Sequence, residues 1–289
     1  MRNFDYFKPG KITDACSLLS KYGEKAKIIA GGQSLLILMK EKIVCPSCLV
    51  DITEIPNLDY IQYDNKGGLR IGALTTHREI ESSSLIKERF NVLSEVEKAI
   101  ASIQIRNVGT IGGNLCHGDP CGDLAPLLIG LEAQVKLTGF ESERLVPLED
   151  FFTDYYETVL KEDEILAEIQ IPSLLLSGGQ WYSKCSPRET DPAIVGVAVV
   201  ASLESPDGIC RKIRIVIGGA GPVPLRSKKA EKRIEGNRLD EKLIEEAAKI
   251  VKEEVAPVSD IRGTEEYKRE MVELLTKEGI TGALEKVKK

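Results

Sequence analysis

Apolar and polar positions follow two periods along this chain of 289 residues. In residues 14–22, Ala15, Leu18 and Leu19 share one helical face, and Thr13 or Asp14 stands where a cap belongs. Residues 27–30 form a short apolar run that reads as a strand, and residues 35–40 are helical in composition. A further strand at 49–52 closes a small α/β unit over about residues 1–58. A second unit opens at 69–74. Val92, Val96, Ile100 and Ile103 then recur at helical spacing, which predicts one helix over 91–105. Residues 123–131 read as a helix with Pro126 in its first turn, where the missing N–H is harmless. Strands follow at 134–138 and 168–171, the second stopped by Pro172.

The pattern changes at Ser177-Gly178-Gly179, which reads as a domain boundary. Beyond it, two β-rich runs at 194–203 and 209–217 flank Ser205-Pro206-Asp207-Gly208, a turn signal, and so predict a hairpin. The tail predicts helices at 227–235, 239–254 and 264–277, with Asp260 or Thr264 capping the last. The fold class is therefore α+β. An N-terminal domain over 1–176 divides into a small α/β subdomain (1–58) and a mixed sheet with helices (59–176). A smaller C-terminal α/β domain with an antiparallel sheet and helices covers 177–289.

Two glycine turns interrupt the pattern where strand or helix gives way to helix: Ala30-Gly31-Gly32-Gln33-Ser34 and Thr110-Ile111-Gly112-Gly113-Asn114. Bare backbone N–H groups in such turns form anion-binding nests, and a following helix N-terminus adds a favourable dipole. Two nests at opposite ends of one domain would suit a ligand with two phosphates, such as a flavin dinucleotide.

Composition removes several classes. Hydrophobic residues make up 42% and charged residues 29%, ordinary for a globular chain. The net charge of −6 gives no field for nucleic acid or an anionic membrane. No apolar run approaches the roughly 20 residues of a membrane span, and the N-terminal residues lack a secretory apolar core, so a cytoplasmic location is expected. Seven cysteines without a signal peptide point to reduced thiols. Cys45-Pro46-Ser47-Cys48 and the pair Cys116 and Cys121 could hold zinc or a cluster, but flavin-adjacent or loop thiols are the plainer reading and no metal is expected. His77 and His117 are the only histidines, which leaves no Ser-His-Asp signature. Gly219-Ala220-Gly221 is followed by Pro222 and has Pro224 where a dinucleotide fingerprint needs glycine or alanine, so it reads as a domain turn.

The stretch from Gln104 through Arg106, Thr110 to Asn114, His117, Asp119 and Asp123 carries a resemblance. With Ala30 to Ser34, Ile71 to Thr76, Tyr182 to Lys184 with Arg188, Gly218 to Arg226 and Ser259 to Tyr267, the chain resembles the FAD-binding medium subunit of the molybdenum hydroxylases. These include carbon monoxide dehydrogenase, xanthine dehydrogenase and aldehyde oxidoreductases. The resemblance covers nearly the whole chain. It implies that Ile28, Ile29, Ala30, Gly31, Gly32, Gln33, Ser34 and Leu35, with Thr110, Ile111, Gly112, Gly113 and Asn114, wrap the FAD pyrophosphate. It implies Asp123 at the nucleotide, Leu166 and Lys184 near the isoalloxazine, and Ile100, His117 and Asp119 in the same cofactor set. Lys184 would then stabilise negative charge on reduced flavin. His117 could instead make only a local loop bond, Asp123 could also cap a helix, and His77 reads as a helix start. Related benzoyl-CoA-type reductases carry an extra cluster in an inserted loop that has no counterpart here.

In such an enzyme substrate is oxidised at a molybdenum cofactor on a large subunit, and electrons cross 2Fe-2S clusters on a small subunit to FAD. This chain lacks the plant-type C-x4-C-x2-C spacing and is too short to hold the molybdenum subunit as well. The resemblance thus implies an electron-transfer subunit with no catalytic residue of its own, in a dimer of heterotrimers. NAD, oxygen or a quinone would take the electrons. Two other readings remain at this point. One is a self-contained flavin oxidoreductase of the enolpyruvyl sugar reductase type, with Tyr182 or Ser186 as proton donor. The other is a non-catalytic nucleotide-binding scaffold.

Overall fold

The computed structural model describes residues 3–173, 178–203 and 208–287. The N-terminal subdomain packs β1 (Asp5–Phe7), α1 (Ile12–Tyr22), β2 (Ala26–Ile29), α2 (Leu35–Lys40) and β3 (Cys48–Asp51). Its sheet has the order β1-β3-β2, parallel throughout, with Ile29 opposite Asp51. Helix α1 lays Ala15 and Leu19 on that sheet, as the spacing predicts, with Leu18 half-buried beside them and Cys16, which the spacing did not single out, fully buried. Its cap position is Lys11, upstream of Thr13 and Asp14, and no side chain bonds there.

The second subdomain is built on β4 (Ile61–Asp64) and β5 (Gly68–Gly72). A block of six helices follows: α3 (His77–Ser82), α4 (Ser84–Arg89), α5 (Asn91–Lys98), α6 (Ile103–Arg106), α7 (Ile111–His117) and α8 (Leu124–Gly130). Then come β6 (Gln134–Thr138), β7 (Glu143–Pro147), the small hairpin β8 (Phe152–Asp154) and β9 (Glu157–Thr158), and β10 (Ile165–Ile171). The sheet order is β4-β5-β10-β6-β7, and every pairing is antiparallel rather than mixed. Because all six helices enter as one block between β5 and β6, no single-helix crossover imposes a parallel neighbour. The helix expected over 91–105 is two helices. Ala101 takes φ 45° between α5 and α6, a left-handed conformation that α-helix does not allow.

The C-terminal domain has β11 (Gly178–Cys185), β12 (Val195–Leu203), β13 (Cys210–Gly218) and β14 (Leu225–Arg226) in that sheet order, all antiparallel. Helices α9 (Lys228–Ile234), α10 (Glu241–Glu254) and α11 (Glu265–Val287) follow. Strands β12 and β13 pair as the hairpin reading requires; the turn residues 205–207 and Ser177 of the predicted boundary lie outside the described residues. The last helix runs ten residues past its predicted end, to Val287 rather than Lys277, and the Thr264 hydroxyl accepts from Tyr267 N at its start. Its Gly279 and Gly282 sit flush against Val199 and Trp181, so the small residues allow close helix–sheet contact.

The two domains share a surface. Ala198, Val200 and Val216 of β12 and β13 pack into the core that holds α8 and the second sheet. A Cβ on Gly218 would stand 2.7 Å from Pro126 Cγ, and one on Gly130 3.2 Å from Val200. Among the described residues, no helix is long and apolar enough to cross a membrane.

Candidate functional site

Strand β2 ends at Ile29, half-buried beside Ile28, which packs on the first subdomain's core. The chain then turns through Ala30 to Ser34 into α2. Gly32 takes φ 68°, a conformation that only glycine adopts without strain. The Gln33 side chain donates to Gly31 O at 2.9 Å and Leu36 N donates to Gly32 O at 3.1 Å, which fixes the turn. Among the described residues no acceptor meets the N–H groups of Gly31, Gly32, Gln33 and Ser34. Half-buried donors without partners, in a row and at a helix start, make an anion nest.

The second turn is built differently. Thr110 caps α7, its hydroxyl accepting from Gly113 N at 3.2 Å. Ile111 N donates to Thr75 O, Gly112 N to Ala73 O and Asn114 N to Thr110 O, at 2.9–3.0 Å. These donors are spent inside the protein. Gly112 is buried, and a Cβ there would lie 2.6 Å from Ala73 Cβ. Gly113 faces solvent, where an added Cβ would meet only the Thr110 hydroxyl, at 2.9 Å.

The two turns touch. A Cβ on Gly31 would overlap the Val108 carbonyl and stand 2.9 Å from Gly109 Cα; one on Gly109 would reach Gln33 Cγ at 3.6 Å. The expectation of nests at opposite ends of one domain is corrected accordingly. There is one composite cradle, in which the first turn supplies free N–H groups and the second a bare helical shoulder. The cradle fits a dinucleotide pyrophosphate, because its donors are unspent and Gly113 has almost no neighbour of its own to explain a missing side chain.

Beneath the cradle lies a buried polar layer. Arg106 donates to Ile100 O (3.0 Å), Ala101 O (2.8 Å) and Glu81 Oε2 (3.0 Å), so it holds the left-handed turn that presents Ile100. Glu81 also binds Arg78, and these two guanidinium groups hold its carboxyl below the usual range against the cost of burial. His77 is the first residue of α3, behind the Thr76–Glu79 capping box, as the helix-start reading expects. Its Nδ1 lies 2.7 Å from Glu97 Oε2 and its backbone N donates to Gly109 O. Glu97 is wholly buried, which pushes its carboxyl up, and its second oxygen has no partner among the described residues.

The loop after α7 joins the domains. Gly118 takes φ 64° against the Tyr156 backbone, and Tyr156 N donates to Gly118 O. Asp119 accepts from Cys121 N at 2.9 Å, and Pro120 O accepts from Gly219 N. The His117 ring lies against Tyr156, with centroids 5.2 Å apart and planes tilted by 49°, and burial lowers its pKa against the opposing charge of Asp119. Asp123 stands at the cap position of α8 but makes no cap bond. Its carboxylate instead accepts from Tyr182 and Lys184, both at 2.7 Å, while burial pushes its pKa up.

Lys184 donates also to Ala99 O and Asp191 O. All three ammonium hydrogens thus have protein acceptors, and the geometry makes it first an interdomain tie rather than a free charge beside a flavin ring. Leu166 is buried in the core of β10. The thiols stand apart in role: Cys45 is exposed, Cys48 is buried in β3, burial pushes Cys116 up to about 12, and Cys121 meets Arg262. Among the described residues, no three His, Cys, Asp or Glu side chains converge as a metal site. The residues the sequence reading passed over are Arg106 as a brace, Glu97, and the acceptors Ala73 and Thr75. A glutamate and an arginine on otherwise apolar helix faces were the available signal for the first two.

Residues 2–174 match the family described as FAD binding domain in molybdopterin dehydrogenase, and residues 180–283 match the CO dehydrogenase flavoprotein C-terminal domain. The chain is 34% identical over 280 residues to the carbon monoxide dehydrogenase medium chain of Hydrogenophaga pseudoflava, covering 97% of this chain and 96% of that one. It is 32% identical over 286 residues to the 6-hydroxypseudooxynicotine dehydrogenase complex subunit alpha of Paenarthrobacter nicotinovorans, covering 99% and 96%. A solved structure of the Hydrogenophaga pseudoflava carbon monoxide dehydrogenase superposes with TM-score 0.95 at 35% identity over 99% of this chain and 98% of that one.

Proposed function

The chain belongs to the FAD-binding medium subunits of the molybdenum hydroxylases, and from that premise we propose that it is the electron-transfer subunit of a heterotrimer. It is an oxidoreductase subunit whose cofactor is FAD. In the proposed assembly a large subunit carries the molybdenum cofactor, a small one carries 2Fe-2S clusters, and two heterotrimers pair. Electrons pass from the small subunit's cluster to FAD and on to NAD, oxygen or a quinone, in the cytoplasm. FAD supplies the conversion between paired and single electrons; this chain's residues bind it, orient it and exclude water.

The observation that carries the reading is the composite cradle. Four unspent N–H groups at Gly31 to Ser34 would meet the pyrophosphate, with Ile28 to Ala30 and Leu35 shaping the walls and Thr110 to Asn114 the shoulder. Ile100, His117, Asp119 and Asp123 would complete the cofactor surface from the loops that Arg106, Tyr156 and Tyr182 hold. Leu166 and Lys184 would lie behind it, the first in the core and the second as the tie of Asp123.

The test is a visible spectrum of the purified chain followed by heat release of the chromophore. About one FAD per chain is expected, given the single cradle. A colourless chain that takes up no FAD from excess would overturn the reading. Co-purification with molybdenum and iron–sulfur subunits tests the assembly separately.

A further inference from the structure

A cavity of about 320 Å³ lies apart from the cradle, where the first subdomain meets the face of the second sheet turned away from the helix block. None of its lining residues belongs to the two glycine turns or to the loop after α7. Its floor comes from β6 and β10, which set Lys136 and Glu168 directly opposite each other. Ile12, Ile55, Leu58 and Ala167 give it apolar walls, and Lys11 is exposed at its mouth. The volume falls in the range of about 300–1,000 Å³ that small-molecule sites occupy.

Glu168 is the lining residue that the fold does not explain. It is 7% exposed. A lysine directly across an antiparallel pair ordinarily engages such a carboxylate. Here the Lys136 ammonium bonds Glu143 of β7 instead, at 2.8 Å. Glu168 receives only neutral donors, the Tyr60 hydroxyl on Oε2 and the Gln170 amide on Oε1. Both oxygens accept in those bonds, as a carboxylate's do, and each keeps a further lone pair. Burial first, and then Glu168 itself, push the Tyr60 phenol up, which keeps it a donor. Arg70 of β5 is exposed and makes no hydrogen bond to Glu168 among the described residues. Buried carboxylates are ordinarily paired with a cation; this one lines a cavity.

The opposite side of the cavity is positive. It is made by Lys11 and by the N-terminal end of α1, whose first turn no side chain caps. A plain cation would meet that end, and a plain anion would meet Glu168 and Glu143. Among the described residues no third His, Cys, Asp or Glu converges with those two acids, so the donor set does not suit a metal ion. We propose that the cavity is a binding site for a small amino-carboxylate, whose ammonium group sits on Glu168 and whose carboxylate turns to Lys11 and the start of α1. The apolar walls take the ligand's methylene chain. The site stands independently of the flavin reading.

The experiment is calorimetric titration of the full chain with glycine, 4-aminobutanoate and 6-aminohexanoate, with butylamine and butanoate as the two halves of such a ligand. At least one amino-carboxylate should bind about tenfold or more tightly than either half, since each half leaves one charged end unmet. Glu168→Gln keeps the side chain's shape and should weaken that binding about tenfold or more. Lys11→Met, at an exposed position, should weaken the amino-carboxylate and leave butylamine unchanged or tighter. FAD content should stay at the wild-type level in both variants. The proposal is overturned if no amino-carboxylate binds at about 10 mM, if either half binds as tightly as the whole, or if binding survives a folded Glu168→Gln. Should Glu168→Gln fold poorly, Lys11→Met decides, and an amino-carboxylate affinity unchanged there overturns the proposal as well.

Discussion

At the scale of single residues, Gly113 is the position whose chemistry the chain does not account for. Gly31 and Gly112 must be glycine because backbone or a neighbouring Cβ fills the space a side chain would take, and Gly32 because of its positive φ. Gly113 has an ordinary helical conformation, faces solvent and crowds only the Thr110 hydroxyl. Gly113→Val should therefore leave the fold intact, with circular dichroism unchanged and stability lowered by no more than about 1 kcal/mol, the worth of a disturbed Thr110 cap. FAD content should fall to near zero, because the added side chain occupies the ligand's side of the shoulder. Full retention of FAD by a folded Gly113→Val would remove the pyrophosphate from this turn. Gly31→Ala makes the contrasting case. Its Cβ overlaps the Val108 carbonyl, so it should both separate the turns and lower stability.

At the scale of elements, legibility in the sequence followed periodicity. Helix α1, strands β2, β3 and β6, and the β12–β13 pairing were readable because their apolar positions repeat cleanly. The short strands β1, β4, β7, β8 and β9 were not, since polar residues interrupt their two to five positions and leave too few apolar ones to set a period. Strand β11 hid behind Gly178, Gly179 and polar side chains that serve the domain junction. The break between α5 and α6 was invisible for another reason. Ala101 gives no sequence warning of a positive φ; the turn is held by Arg106 from five residues downstream. Both glycine turns were legible as turns, but not that only the first keeps its N–H groups free, nor their contact, which depends on Val108 and Gly109 meeting Gly31 across subdomains.

One element junction gives a pH prediction. Arg144 of β7 binds Glu164, just before β10, through two hydrogen bonds of 2.7 and 2.8 Å, and Lys161 N adds a third. Arg144 chiefly, and then the Lys161 N–H, hold the Glu164 carboxyl below its usual range against desolvation. A depressed carboxylate contributes stability above its unfolded pKa and loses it as pH falls through the folded value. Glu164→Gln should thus lower the urea midpoint at neutral pH, and the gap to wild type should close in acid, below about pH 4. A gap that is constant with pH would show that the glutamate acts through packing alone.

At the scale of the whole molecule, the two domains are joined where the cofactor surface is made. The Asp123–Lys184 pair is more than nine-tenths buried and links α8 to β11, while Lys184 also reaches Ala99 O beside the turn that presents Ile100. Tyr182 adds a second bond to Asp123, and Gly219 N binds Pro120 O in the same loop. Breaking a buried pair by removing one partner strands the other charge, at a cost of about 3–5 kcal/mol, whereas removing both is far less costly. Lys184→Met should therefore destabilise the flavin-free chain strongly, and Lys184→Met with Asp123→Leu should recover much of the loss; urea unfolding of the four forms measures the coupling. If Lys184 stabilises negative charge on reduced flavin, as the family resemblance implies, Lys184→Met should also lower the flavin potential with FAD still bound. Both follow from one geometry if the tie sets the flavin's surroundings: a variant that keeps its FAD should show a shifted potential together with the lost stability. A changed potential at unchanged stability would instead return Lys184 to direct contact with the ring, and full stability in Lys184→Met would mean that the buried pair is not what holds the domains together.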